Sequence, residues 1–542
     1  MNKKLTLIII FLIILAGFFI RFYRLDLNIP SLYVDEANGI FDSGNLFEPS
    51  LLFLRLLRFT WFLDLTPLGV RLPSVLFGTL LLFLIFWLAK EINFEKKKDW
   101  QLIPLITLIL AAFLPWGIHI SRIGHTGVIL SLLAVGIHWL IYLKATTIRA
   151  YIWSLMPLFL AAYCYASMIL IGPFVLILVF IKIWQLTTSV KVKKTALIIG
   201  IILITFFGLM LFKMGNRGFD LAIWKDVNVT ANENVDRGLA RLSSPTIFSL
   251  NSNPELVSRL FYNRPIAVIN SFTRTYLSFF SPDFLFLKGD PILRHSTGRF
   301  GVLYPFLLPF LVYGAFILFT RGEKKTKEMF LFWFLVTPIP AALTKDGSGY
   351  LLRVTYMLPL LTYLSALGIM EFLHLFEKKL KIILSVLLLI IFAFSTYSFL
   401  FNYFQVYPAK SARSFEYGFK ELADFQKEKN DQSMLIIWDG YYPQAYFRFW
   451  QRTDYEKYLG NKISSITIGN STFTKAFNNL YFSIPRGELD LTSFLNQNGI
   501  SHLALPEDLK TKFQDYQIFQ NTPEKTINYP DTSPAFGIFR VK

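Results

Sequence analysis

Lys378-Lys379-Leu380-Lys381-Ile382-Ile383-Leu384-Ser385-Val386-Leu387-Leu388-Leu389-Ile390-Ile391 opens a run that stays apolar to about residue 404, with no charge after Lys381. About 20 apolar residues span the hydrocarbon core of a bilayer. Three lysines at one end of such a run mark the end that stays in the cytosol. After residue 405 the pattern changes. Apolar runs shorten to stretches such as Leu435-Ile436-Ile437-Trp438, Ile466-Thr467-Ile468 and Leu480-Tyr481-Phe482, separated by polar helical stretches at 411–429 and 442–451. Short apolar runs between amphipathic segments read as strands and helices of a small water-soluble α/β domain.

Working back from this boundary, the same apolar pattern recurs. It predicts spans at about 5–20, 70–89, 102–120, 127–143, 151–166, 168–184, 195–212, 302–320, 329–344, 354–374 and 381–404. Loop charges test this count, because an error would put later basic clusters on the wrong side. With the N-terminus cytoplasmic, Lys96–Lys98, Lys144 with Arg149, Lys191 with Lys193, Lys324 with Lys325, and Lys378 with Lys379 all share the cytoplasmic side. The expected fold is therefore mainly α. It is a polytopic helical membrane protein with a membrane domain at 1–404 and a soluble extracytoplasmic α/β domain at 405–542, set in the cell (cytoplasmic) membrane.

Composition agrees with this reading. Of 542 residues, 54% are apolar and 17% charged, and 56 are phenylalanine. Disorder is excluded at this hydrophobicity. The net charge of +18 follows from the basic loops and gives no reason to expect a nucleic-acid partner. One cysteine, Cys164, rules out an intrachain disulfide and a cysteine-rich zinc site. The six histidines show no HExxH spacing, and no phosphate-binding glycine motif is present. Met1-Asn2-Lys3-Lys4 followed by an apolar run resembles a signal peptide. The residues Gly17 to Arg21 make a poor cleavage site, so the run reads as a retained first helix. Residues 51–63, with Arg55 and Arg58, read as an amphipathic helix in the outer interface.

The outer loops hold the candidate chemistry at 21–69, 121–126, 213–301 and 345–353. Asp35-Glu36 follows the first span. In an extended loop adjacent side chains point opposite ways, so one acid can face a reaction centre while the other holds the loop, and a carboxylate there suits general-base work on a hydroxyl. Arg122 and His125, Arg294 and His295, and Lys345 and Arg353 bring basic groups to the same membrane side on three separate loops. Such groups neutralise a lipid-linked phosphate or pyrophosphate; headgroup contacts and salt bridges to Asp or Glu are the alternative. Tyr262, Tyr276, Trp438, Tyr441 and Tyr442 could stack on sugar rings, though packing is the more ordinary role for aromatic side chains.

Several motifs in order resemble the GT-C superfamily of membrane glycosyltransferases, in the branch of protein O-mannosyltransferases and aminoarabinose transferases. They are Arg21-Phe22-Tyr23-Arg24-Leu25 with Asp35-Glu36-Ala37, Val70-Arg71-Leu72-Pro73-Ser74 with Phe77-Gly78, and Ser121-Arg122. Next come Phe280-Ser281-Pro282-Asp283, Gly289-Asp290-Pro291, Arg294-His295-Ser296, and Pro338-Ile339-Pro340 with Asp346 and Arg353. Two places depart from the pattern: Glu48-Pro49-Ser50 stands in a shortened first loop, and Gly124-His125-Thr126 follows Ser-Arg where relatives carry an acid. The resemblance implies a polyprenyl-phosphate sugar donor, catalysis at Asp35 with Glu36 beside it, and donor-phosphate contacts from Arg294, His295, Lys345, Arg353 and Arg122. The acceptor, whether protein, lipid or glycan, is left open. Fixed cations can stand in for a metal in this chemistry, and a divalent cation is left open beside them. A transporter or flippase of lipid-linked saccharide and a non-catalytic carbohydrate-binding membrane protein are the alternatives.

Overall fold

The computed structural model describes residues 3–29, 31–39, 66–92, 102–214, 263–344, 347–440, 443–452, 464–477 and 479–541. The expected interfacial helix at 51–63 and Tyr262, Lys345, Asp346, Tyr441 and Tyr442 lie outside them. The chain divides into two units. A helical unit comprises Met1–Arg21 and Ser74–Phe399, and a second unit comprises Phe22–Pro73 and Leu400–Lys542.

In the helical unit, α1 (Lys3–Phe22), α3 (Pro67–Glu91), α6 (Thr126–Lys144), α7 (Ile148–Cys164), α8 (Ser167–Leu186) and α9 (Val190–Met214) follow the expected spans, while the short α2 (Val34–Gly39) of the first loop belongs to the second unit. A span broken into α4 (Ile103–Phe113) and α5 (Pro115–Ile120) lies between α3 and α6. Then come α10 (Arg264–Ser278), α11 (Leu308–Arg321), α12 (Lys324–Val336), α13 (Leu358–His374) and α14 (Lys378–Phe401). Seven helices among the described residues are long and apolar enough to cross a membrane alone, and shorter apolar helices occupy 103–113, 148–164 and 305–321. The protein is a polytopic helical membrane protein.

The burial of each helix shows its place. Between Leu358 and Met370 every α13 residue is buried, so this helix is central to the unit. By contrast α14 presents Ile382, Val386, Leu389 and Phe394 outward, as a lipid-facing helix must. Contact between α11 and α13 is backbone to backbone. A Cβ added at Gly314 would lie 1.9 Å from the Leu364 carbonyl oxygen, and one at Gly368 would lie 1.8 Å from that of Phe310. Small residues at a crossing allow this approach, which supplies dispersion contact where lipid offers no hydrophobic drive.

The break between α4 and α5 has a chemical cause. Pro115 has no N–H, so the helix ladder fails there and carbonyls of the preceding turn lose their donors. Arg21 replaces them, donating from Nη1 to the Ala112 carbonyl at 3.0 Å and from Nη2 to that of Ala111 at 3.2 Å. Tyr304 Oη donates to the Phe113 carbonyl at 2.8 Å.

The second unit is built on a seven-stranded sheet of order β2-β3-β4-β1-β5-β7-β6. Its strands are β1 (Met434–Ile437), β2 (Ser464–Ile468), β3 (Ser471–Lys475), β4 (Leu480–Ser483), β5 (His502–Pro506), β6 (Lys525–Asn528) and β7 (Pro534–Arg540). β1 pairs in parallel with both β4 and β5, and the outer pairs are antiparallel. Alternation along β1 sends Met434 and Ile436 to one core and Leu435 and Ile437 to the other. Both faces are therefore covered, as a parallel sheet requires. α15 (Phe419–Glu428) and α16 (Gln444–Trp450) cover the first face, and α17 (Glu488–Asn498) covers the second. Leu32, Ala37 and Val70 of the first-loop segment join the first core.

Candidate functional site

In the helical unit, local chemistry builds a hub at Asp290. Pro291 fixes its own φ and Asp290 folds back on the following chain, an Asx-type turn, with the Ile292 N–H donating to Oδ1 at 2.8 Å. The other oxygen, Oδ2, accepts from His295 Nδ1 at 2.8 Å and from the Leu351 N–H at 2.7 Å. The side chain is completely buried, and its hydrogen bonds are what make a buried carboxylate tolerable. The bond to Leu351 ties the loop around 288–299 to the loop before α13.

Basic groups from three loops converge around this hub. The His295 ring lies 4.5 Å from the Tyr350 ring and 5.6 Å from that of His125, centroid to centroid. The Arg353 guanidinium carbon sits 4.2 Å over the Tyr350 ring, a cation–π arrangement, and its Nη1 donates to Thr344 Oγ1. His119 Nε2 donates to the main-chain carbonyl of Arg294 at 3.2 Å. His125 is held well below the ordinary histidine range, by burial first and then by His295, Arg294 and His119. Because Asp290 holds Nδ1 of His295 as the proton-bearing nitrogen, Nε2 is the atom the ring has left for a ligand.

Arg122 belongs elsewhere. It is buried, and its Nη1 donates to the carbonyls of Ile20 and Arg21 at 2.7 and 2.8 Å. A guanidinium there caps the last turn of α1, where the helix dipole is negative. The sequence reading weighed an anionic ligand against salt bridges to acids for such outer arginines. The hydrogen bonds of Arg21 to Gly17, Ala111 and Ala112 and of Arg122 to Ile20 and Arg21 end on main-chain carbonyls, which gives Arg122 a place as a helix cap on α1.

The second unit holds the acidic pair. It lies on α2 (Val34–Gly39) rather than in an extended loop. Acids in a first helical turn are favoured by the helix dipole, and Ala37 anchors the turn in the core. Successive helical residues diverge by about 100°, so the two acids still part company. Asp35 is exposed and Glu36 is buried. Glu36 Oε1 accepts from Arg71 Nε at 2.8 Å and Oε2 from Arg71 Nη2 at 2.9 Å. Arg71 also donates to the carbonyls of Ile29 at 3.2 Å and Ser31 at 2.5 Å. Both oxygens of Glu36 are engaged and enclosed, so its expected catalytic role is corrected to holding the loop.

Two of the aromatic candidates serve packing. Tyr276 Oη donates to the Leu335 carbonyl at 2.8 Å, and Trp438 packs edge-on against Phe419 at 4.8 Å. Asp290, quoted in a motif but given no role, is the residue sequence reasoning missed. Its Asx turn was readable from Asp-Pro, but its bond to Leu351, 61 residues away, was not. Among the described residues, no three His, Cys, Asp or Glu side chains come together to hold a metal ion.

No family model matches the sequence, and no curated protein matches it. Among solved structures, it is similar to the oligosaccharyltransferase AglB from Archaeoglobus fulgidus in complex with an inhibitory peptide and a dolichol-phosphate. That match has 11% identity and a TM-score of 0.48, and covers 99% of this chain and 74% of that one. It is also similar to the Archaeoglobus fulgidus oligosaccharyltransferase complex with Zn and sulfate, at 10% identity and a TM-score of 0.46, covering 98% and 73%. A third is ArnT from Cupriavidus metallidurans in the apo state, at 11% identity and a TM-score of 0.37, covering 100% and 98%. All three matches lie at 10–11% identity with TM-scores below 0.5, so the activity is argued from this chain's own residues.

Proposed function

We propose that this protein is a membrane glycosyltransferase that moves a sugar from a polyprenyl-phosphate donor to an acceptor hydroxyl at the non-cytoplasmic face, in one inverting displacement. The observation that carries this reading is the hub at Asp290. A buried carboxylate, already engaged by two main-chain N–H groups and an imidazole, draws His295 and the loop of Arg353 together beside Arg294.

Arginine suits a phosphate oxygen, as does the Nε2–H of His295 when the ring carries a proton on both nitrogens, and fixed donors cost no reorganisation when charge develops. The acceptor oxygen forms its bond to the anomeric carbon as the bond from that carbon to the phosphate oxygen breaks. The electron pair leaves with the polyprenyl phosphate and is met by Arg294, His295 and Arg353. The acceptor proton passes to Asp35, whose exposure on α2 suits a base that must meet an incoming hydroxyl. Lys345 joins the donor contacts by the sequence resemblance.

The test is transfer by the purified protein from a polyprenyl-phosphate sugar to candidate protein, lipid and glycan acceptors. Asp35→Asn is expected to lose at least about a hundredfold in rate, the usual scale of general-base catalysis, with insertion and melting unchanged. Wild-type turnover in that variant removes Asp35 as the base. Uptake of the lipid-linked sugar into vesicles without transfer would instead establish the transporter reading.

A further inference from the structure

The sheet of the second unit carries two clefts at opposite ends of its central strands. One, of about 520 Å³, lies at the start of β5 and the end of β7 and includes Lys429, His502 and Arg540. The other, of about 470 Å³, is lined by Ile484, Pro485, Arg486, Lys512, Phe513 and Tyr516. It lies just beyond the carboxyl ends of the parallel strands β4 and β5. Both volumes suit a small ligand.

Charge and topology separate them. In the first cleft Glu524 accepts from Lys429 Nζ at 2.7 Å and lies 3.4 Å from His502 Nε2, so a carboxylate already serves two of its basic groups. The carboxyl end of α17 also faces it through Leu495, Asn496 and Gly499, and the negative end of a helix repels an anion. The second cleft has the opposite character. The chain leaving β4 passes through it directly into the amino end of α17. The acids of that first turn are engaged: Glu488 accepts from the Gln517 N–H at 2.5 Å, and Asp490 from Ser471 Oγ at 2.8 Å and the Asn470 N–H at 3.0 Å. Arg486 and Lys512 are exposed, and no carboxylate among the described residues pairs with either. The Phe513 and Tyr516 rings line the same cleft, 5.2 Å apart and edge to face. In open α/β sheets ligands bind outside the carboxyl ends of the strands, the end of the sheet at which this cleft opens.

We propose that the cleft of Arg486, Lys512 and Tyr516 binds an acidic saccharide. The sugar ring lies on the aromatic wall, with its apolar face against Tyr516. Its carboxylate is held between Arg486 and Lys512. This inference concerns binding alone and stands whether or not the chain transfers sugars.

Calorimetric titration of the full-length protein in detergent tests it, with tetragalacturonate as the acidic probe, maltotetraose as a neutral probe of equal length, and inorganic phosphate. Tetragalacturonate should bind with a Kd of about 1 mM or tighter, and maltotetraose at least about tenfold more weakly. Arg486→Gln with Lys512→Gln should weaken the acidic probe at least about tenfold, and Tyr516→Ala should weaken it as well. Lys429→Gln with Arg540→Gln, in the opposite cleft, should leave it unchanged. Arg486 and Lys512 are both exposed, so an unchanged melt should accompany the loss. No binding of tetragalacturonate at about 10 mM overturns the proposal. So does a Kd for phosphate equal to that for the saccharide, or loss of binding in the Lys429 and Arg540 variant rather than in the Arg486 and Lys512 one.

Discussion

Glu36 in the second unit and Asp290 in the helical unit are both buried carboxylates that accept hydrogen bonds from a basic side chain. Their partners differ. Glu36 meets a guanidinium through two parallel bonds, and the remaining Arg71 donors run to the main-chain carbonyls of Leu25, Ile29 and Ser31. Every strong group in that circuit closes on another member, so it fixes the first loop and offers nothing to a ligand. Asp290 instead binds two main-chain N–H groups and one imidazole nitrogen. Its charge orders two loops while the second nitrogen of His295 and the cation of Arg353 stay beside it. Burial of an acid alone does not mark an active site; what counts is whether its partners are used up.

The largest expected effect breaks the closed circuit. Glu36→Ala leaves Arg71 buried without its carboxylate, and breaking a buried pair from one side costs about 3–5 kcal/mol. Glu36→Gln, which keeps an oxygen toward Arg71, should cost clearly less. Denaturant melts of the detergent-solubilised protein read both, and a wild-type midpoint for Glu36→Ala would show that the pair does not hold the loop. Next comes the open arrangement. Arg353→Ala should weaken binding of a polyprenyl phosphate by about 1.5–3 kcal/mol, the range for a hydrogen bond to a charged group, with little change in the melt. Arg122→Ala should do the reverse, lowering the melt while sparing affinity, because its donors end on carbonyls of α1. Equal affinity losses in both variants would erase the distinction between cap and site.

These contrasts also show what was legible in the sequence. The spans were legible because lipid imposes a length and loop charge imposes an alternation, and both are local. The strands around Leu435, Ile466 and Leu480 were legible for the same reason, as runs of period two or continuous burial. The sequence expected the two acids to part in an extended loop; they do part, Asp35 exposed and Glu36 buried, but on a helix turn. What local pattern cannot carry is the identity of a distant partner. Arg21 sits beside an ordinary span end, and nothing near it announces that Pro115, far along the chain, will leave carbonyls for it to cap. Asp290 likewise gives its turn away but not the Leu351 N–H that makes it a hub. Main-chain partners leave no residue type to recognise, which is why arginines bonded to carbonyls were read as arginines awaiting an anion.

The smallest effect concerns pH and sharpens the open side of the comparison. His125 sits half-buried beside His295, Arg294 and His119, and its proton affinity is held well below that of a free imidazole. The unfolded chain takes up a proton as pH falls through about 6.5, whereas folded His125 does not. Its contribution to stability is therefore present above that pH and is lost progressively as pH falls below it. His502 in the second unit is also depressed, with burial outweighing the opposing pull of Glu524, so wild-type protein should show both losses. His125→Gln should remove only its own share, flattening the melt-against-pH curve between about pH 6.5 and 5.5. A phosphate bound at the hub would offset the neighbouring positive charges and raise the affinity of His125 for a proton. Binding would then take up protons, and affinity for polyprenyl phosphate should strengthen as pH falls across the same interval in the wild type but less so in His125→Gln. A curve of the same slope in both proteins would mean that His125 does not share the field of Arg294 and His295, and the three-loop convergence would lose one of its members.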